Sequence, residues 1–489
     1  MRVLKGVKIL AGLVCAVLLT LFAVRIYDSQ TGLPLEPWHI YVPAEPRAAA
    51  LDKADWRQYL ATEAALFEDV RREVTQKLGP DERVPVNRYF DGSPVYPGRF
   101  AQDFNRSFVL RPDGPPRGAV VLLHGLTDAP YSMRHVATFY RDRGFVAVVP
   151  RMPAHGTVPA ALTDVHWEDW LAATRLAVRE AHRLAGPSVP LHLVGYSNGG
   201  ALAMKYALDA LGDGKLARPD RVILLSPMIG VTRFARFAGL AGLPALFPAF
   251  AKAAWLDVIP EFNPFKYNSF PVKAARQSHL LSQALQQQIA RDARDGKLAE
   301  LPPVLTFQSV IDFTVSTRAV VTALYAHLPA NGSELVLFDI NRAAKFGPLL
   351  RDSADVAMSR ILPNAPQRYK ITVITNSDDR GDEVVERVRA AGGDVETVRP
   401  LGLSYPAGFY SLSHVAVPFP ASDGLYGGKP DPADNFGLSL GTLAPRGERN
   451  VLIVSLDSLL RATWNPFFSF MTDRIGEGIR ATVQASPRR

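Results

Sequence analysis

Cysteine is almost absent from this chain. A single one, Cys15, stands among 489 residues, which excludes an intramolecular disulfide and any cysteine-built metal cluster. Also missing is a block of lysines and arginines interleaved with aromatics. The net charge of +8 at pH 7 therefore reads as a mildly basic solvated surface, and nucleic acid is not an expected partner. There is no internal repeat and no long low-complexity segment, so solenoid and disordered architectures drop out. With 47% hydrophobic and 21% charged residues, the composition is that of an ordinary globular protein.

Long apolar runs are scarce too, with one exception. Residues 9–24 are apolar, preceded by Arg2, Lys5 and Lys8 and closed by Arg25. The stretch 21–27 lacks the pair of small residues that a signal-peptide cut requires. The expectation is an uncleaved membrane anchor over 1–27, its basic flank cytoplasmic and the rest of the chain on the far, periplasmic or extracellular side. Secretion after signal cleavage is the alternative.

Behind this segment, 28–100 reads as a Pro-containing tether followed by an amphipathic helix within 50–78, ended by Gly79-Pro80. From 101 to the end, strands and helices alternate. Strands are expected at 107–110, 119–123, 145–149, 191–194, 222–225, 304–307 and 335–338, and helices at 167–184 and 199–211. Such alternation implies a mostly parallel central sheet flanked by helices, with chemistry at the carboxyl ends of the strands. Two insertions interrupt it. The first, 231–301, opens on apolar residues over 234–255 and continues into a Gln-rich helix near 281–289. The second, 342–410, holds a strand at 369–375, an expected helix near 383–391 and a further short strand.

The sharpest motif is Leu191-His-Leu-Val-Gly195-Tyr-Ser197-Asn-Gly199-Gly200. An apolar strand runs into Gly-x-Ser-x-Gly and a helix follows. A serine there sits on a tight strained turn with its oxygen exposed, and the glycines admit closely packed backbone. The N–H of Asn198 then points toward a reacting carbonyl. A second buried-type strand ends in His124-Gly125-Leu126-Thr127, a loop suited to supply a further oxyanion donor from Leu126. His124 is expected to brace that loop.

The His-Gly loop, Pro150-Arg-Met-Pro-Ala-His155-Gly156, Trp167-Glu-Asp-Trp170 and Gly195-Tyr-Ser-Asn-Gly199 occur in this order. Together they resemble the monoacylglycerol lipase, carboxylesterase and serine aminopeptidase-like branch of the α/β-hydrolases. The resemblance covers roughly 117–230 and 302–341, and departs at Arg151-Met152 and Ala154, where the family more often has an acidic residue and glycine. It implies the α/β-hydrolase fold, with 231–301 as its lid, and the chain order nucleophile, acid, base. His327 and His414 are the histidines after the strand at 304–307. His327 ends a helical stretch and reads as a surface residue, which leaves His414 as base. Asp312 follows the same strand and is the expected acid, with Asp339, one strand later, as its rival.

The expected enzyme is thus a serine hydrolase that cleaves carboxylic esters of hydrophobic or lipid-like substrates through Ser197, Asp312 and His414. The oxyanion hole falls to Leu126 and Asn198, and no metal or organic cofactor is required. A serine aminopeptidase, which needs an acidic cluster for a free amine, and an acyltransferase are the alternatives within this fold. A non-catalytic binding protein is disfavoured by the intact candidate triad.

Overall fold

The computed structural model describes residues 32–230, 248–340, 361–362, 366–378, 381–406, 411–443 and 460–485, together with a few isolated positions. Among the described residues no helix is long and apolar enough to cross a membrane. Much of the expected anchor over 1–27 and all of the apolar stretch 234–247 fall outside them.

The strands are β1 (Phe108–Leu110), β2 (Gly118–Leu123), β3 (Phe145–Val149), β4 (Leu191–Tyr196), β5 (Arg221–Leu225), β6 (Trp255–Asp257), β7 (Phe270–Pro271), β8 (Val304–Ser309), β9 (Glu334–Asp339), β10 (Lys370–Asn376), β11 (Glu383–Arg389) and β12 (Glu396–Ser404). The longer helices are α1 (Trp56–Glu73), α2 (Arg134–Arg141), α3 (Trp167–Ala185), α4 (Asn198–Gly212), α5 (Val272–Arg294) and α6 (Phe468–Ala485). Apart from the small β6–β7 ribbon, the strands form one sheet in the order β1-β3-β2-β4-β5-β8-β9-β10-β11-β12. The run from β3 to β10 is parallel, while β1 at one edge and β11 and β12 at the other are antiparallel.

Strands β2, β3 and β4 are buried at every residue, as expected of parallel strands covered on both faces. On one face Val121, Leu123, Leu193 and Leu224 join a core with residues of α3, α4 and α5. On the other, Val120, Leu122, Val194 and Leu305 pack with α2 and α6. This is the architecture of an α/β-hydrolase.

One expected element is corrected. Residues near 383–391 form β11, not a helix. The acidic and basic residues of Glu383-Val-Val-Glu-Arg-Val-Arg389 mimic helical charge pairs. Their partners lie across the sheet instead, with Glu386 paired to Arg399 at 3.0 Å and to Arg474 of α6 at 2.9 Å. Valines 384 and 385 are buried, and three β-branched residues in seven favour a pleated surface. The second insertion therefore widens the sheet.

Residues 36–47, read from sequence as part of a tether, lie against the domain. Trp38 and His39 are buried, and Trp38 stacks on Tyr89 at 5.2 Å between ring centroids.

Candidate active site

The carboxyl ends of β2, β3, β4 and β5 converge, and the backbone is strained at all four. Among the described residues, the non-glycine positions with positive φ are Thr127, Ala154, Ser197 and Ser226, one in the turn after each of these strands. Such strain persists only where surrounding structure holds it and concentrates at functional sites. Ala154 occupies one of the positions where the family resemblance favours glycine, and at φ 70° it adopts the conformation that glycine tolerates best.

Ser197 links β4 directly to α4 at φ 55° and ψ −115°. Its N–H donates to Leu225 O at 3.0 Å, and its carbonyl accepts from Met228 N–H at 2.9 Å, fixing the turn to the end of β5. The flanking glycines follow from packing. A Cβ on Gly195 would lie 2.3 Å from Gly199 O, and one on Gly199 would lie 2.1 Å from Leu123 O.

His414 and Asp312 reach this turn from separate loops. Nδ1 of His414 lies 2.9 Å from Asp312 Oδ2, and neither side chain is more than 5% exposed. The other Asp312 oxygen accepts from the N–H groups of Thr314 and Val315 at 2.8 and 2.9 Å. Burial pushes the Asp312 carboxyl up, but the His414 charge and these hydrogen bonds outweigh it and hold it below its usual range. Ser197, His414 and Leu126 line one cavity of about 360 Å³. Asn198 begins α4, and its side-chain oxygen accepts from Ser278 Oγ of α5 at 3.4 Å.

Asp339 is placed elsewhere. It ends β9 beside Ile371, Arg387 and Glu396 in a separate cavity. His124 is fully buried, accepting from Met152 N–H at Nε2 (3.0 Å) and so donating from Nδ1 to Gly125 O (2.9 Å). Both ring nitrogens are used, and burial lowers the pKa well below the ordinary value. It ties the loop after β2 to the loop after β3. His327 is partly buried at the end of a short helical turn.

Several further residues line or support the site, and the sequence singles out none of them. Tyr196 packs its ring on His414, centroids 5.3 Å apart, and donates from its hydroxyl to the His414 carbonyl at 3.3 Å. Asp128, Lys266 and Arg461 line the cavity with them. Asp128 had a faint signal in its place just after the His-Gly loop. Lys266 and Arg461 had none, because they come from an insertion and a C-terminal segment without a recognisable spacing.

Residues 114–339 match the family model described as "Serine aminopeptidase, S33". A thermostable monoacylglycerol lipase of Bacillus sp. (strain H-257) is 33% identical over 89 residues, 18% of this chain and 34% of that protein. The match thus spans about a third of the curated relative's length. Among solved structures, a soluble variant of the monoglyceride lipase of Saccharomyces cerevisiae is 13% identical, with TM-score 0.37, covering 47% of this chain and 81% of that one. The Paleococcus ferrophilus monoacylglycerol lipase is 17% identical, with TM-score 0.35, covering 47% and 86%. The family match begins just before β2 and ends with β9, so it encloses the four strained turns and the strand that leads to Asp312. A parallel sheet that delivers a strained serine onto a helix, with the family model matching those same residues over just under half of the chain, gives this chain the α/β-hydrolase fold.

Proposed function

We propose that this protein is a serine hydrolase that cleaves carboxylic esters with an apolar acyl portion. The observation that carries the reading is the convergence of Ser197, on its strained turn, and the hydrogen-bonded pair His414–Asp312 on one cavity.

The chemistry follows from the parts. With Nδ1–H held by Asp312, the His414 ring presents Nε2 as the base. It takes the Ser197 proton as the hydroxyl attacks the acyl carbonyl, and Asp312 stabilises the imidazolium. The N–H groups of Leu126 and Asn198 stabilise the oxyanion, worth about 3 kcal/mol per donor. His414 then protonates the leaving alcohol and activates water against the acyl-enzyme. Tyr196 keeps the His414 loop in register with the serine. Met228, Phe270, Val315 and Phe419 offer apolar surface to an acyl chain.

The charge of the cavity favours an ester over an N-terminal peptide. A free amine calls for carboxylates, whereas the lining brings Lys266 and Arg461 against a single carboxylate, Asp128. The apolar run at 9–24 supports a membrane-anchored enzyme whose domain acts on the non-cytoplasmic side.

Replacing Ser197 by alanine removes one oxygen and leaves the turn. The Ser197→Ala protein should keep its circular dichroism spectrum while losing both hydrolysis of short aryl esters and labelling by a fluorophosphonate. Labelling that persists in this variant would overturn the assignment of the nucleophile.

A further inference from the structure

The cavity beside Ser197 holds more positive charge than ester hydrolysis calls for. Lys266 enters from the loop between β6 and β7, and Arg461 from the segment before α6. Neither makes an ion pair among the described residues. The Arg461 guanidinium donates from Nη2 to the neutral hydroxyl of Thr314 at 3.2 Å, which leaves most of its five N–H donors available. Lys266 is partly buried. Burial lowers the pKa of its ammonium, Asp128 counters this and Arg461 adds to it.

The opposing carboxylate does not balance them. Asp128 is 6% exposed, and one of its oxygens has no hydrogen-bond partner. Burial raises its pKa to about 6, against the pull of Lys266 and nearby donors. The walls thus bring two cations against one reluctant anion. Taking unpaired charge out of water costs free energy, and such groups in a cleft beside a nucleophile point to a ligand that completes them. The hydrogen bonds also place the guanidinium. Thr314, which orients Arg461, donates its own N–H to Asp312, so the guanidinium is tied to the loop that holds the acid behind His414.

We propose that Lys266 and Arg461 form an anion-binding subsite that holds a carboxylate or phosphate of the ester substrate while its carbonyl lies at Ser197. This rests on the ester-hydrolase reading and narrows it. The substrate is an anionic amphiphile, its acyl chain on the apolar wall and its charged group between the two cations. Guanidinium and ammonium both make charge-assisted hydrogen bonds to such oxyanions.

The test compares matched esters on the full-length protein. p-Nitrophenyl butyrate is paired with p-nitrophenyl hemiglutarate, which carries a carboxylate at the acyl end. Glycerol monobutyrate is paired with its phosphate monoester, charged at the alcohol end. In at least one pair kcat/KM should favour the anionic member by about tenfold or more, chiefly through KM. Lys266→Met and Arg461→Met should bring that ratio close to one, and Lys266→Arg should retain it. Lys297→Met, at an exposed position outside the cavity, should leave it unchanged. A neutral preference in both pairs, or an anionic preference that survives in the double methionine variant, overturns the subsite. Calorimetric titration with glutarate and with inorganic phosphate separates this proposal from the reading beneath it. Anion binding lost in the methionine variants, in a protein whose Ser197 takes no fluorophosphonate, sinks the hydrolase and keeps the subsite. Labelled Ser197 without anion binding or anion preference sinks the subsite alone.

Discussion

Asp312 lies in the loop after β8 and Asp339 ends β9, neighbouring strands of the same parallel run, and sequence leaves them as rivals. What separates them is the loop that follows. After β8 the chain turns so that Asp312 takes hydrogen bonds from two backbone N–H groups and from His414, whereas Asp339 lies in a different cavity. Asp312→Asn keeps the shape of the side chain but no longer selects the Nδ1–H tautomer or stabilises the imidazolium. A loss of about 10⁴ in kcat on a short-chain aryl ester is expected. Asp339→Asn should cost less than about tenfold on the same substrate, since tautomer and oxyanion donors stay in place. An inactive Asp339 variant beside an active Asp312 variant would move the acid one strand on. The motif around Ser197 and the place of Asp312 just past a strand were legible because strand order fixes where they emerge, whereas His414 was reached only by counting the histidines that follow that strand. Tyr196 was hidden in plain view within the Gly-x-Ser-x-Gly match, since that pattern leaves its second position free. Its contact with His414 exists only once a loop more than two hundred residues away, at sequence separation 218, is folded onto it.

At the level of the element, buried parallel strands announce themselves as apolar runs, and β2, β3, β4 and β5 lie where those runs lie. The edge of the sheet is harder to read. Strand β11 alternates charge in a way that suits a helix face, and only pairing with β10 and β12 shows where the charges go. Helix α6 is legible after the fact, because Met471, Ile475 and Ile479 recur every fourth residue and all are buried. The turn from β4 into α4 offers a sharp test of packing against propensity. Gly199 and Gly212 lie in the same helix. An alanine Cβ at Gly199 would lie 2.1 Å from the Leu123 carbonyl oxygen and 2.7 Å from that of His124, backbone atoms at the end of β2 and at the start of the loop after it. Nothing lies within 4 Å of a Cβ at Gly212. Gly199→Ala should therefore cost about 2 kcal/mol or more in denaturant unfolding and most of the ester hydrolysis. Gly212→Ala should be neutral or stabilising by up to about 0.5 kcal/mol, with activity unchanged. Equal effects from the two would mean that the strand-to-helix turn is looser than its contacts imply.

Across the whole molecule, the departure at Arg151 and the packing of the N-terminal segment explain each other. Arg151 is fully buried, and a lone buried charge would be strongly unfavourable. Its Nη1 and Nη2 meet Glu45 at 2.8 and 3.0 Å, and its Nε meets Glu63 of α1 at 3.2 Å. Both carboxylates come from the region before β1, so that region completes the domain instead of merely tethering it. Sequence showed the arginine as an oddity and the N-terminal stretch as irregular. It gave no hint that the two compensate, because ion pairs across 106 residues leave no local pattern. The consequence is a boundary that truncation can locate. Removing residues 1–31 takes away the apolar run and leaves Trp38, His39 and Glu45 in place. That protein should be soluble, with the ester-hydrolysis rate of the full chain. Removing residues 1–47 strips one carboxylate from Arg151 and uncovers Tyr89. Breaking one side of a buried pair costs about 3–5 kcal/mol, so the denaturant midpoint should fall sharply. Glu45→Gln within the longer protein should reproduce much of the loss, since it deletes the charge and keeps the volume. Equal midpoints for the two truncations, with an unaffected Glu45→Gln protein, would show that Glu63 alone suffices for Arg151 and that the segment before α1 is dispensable to the fold.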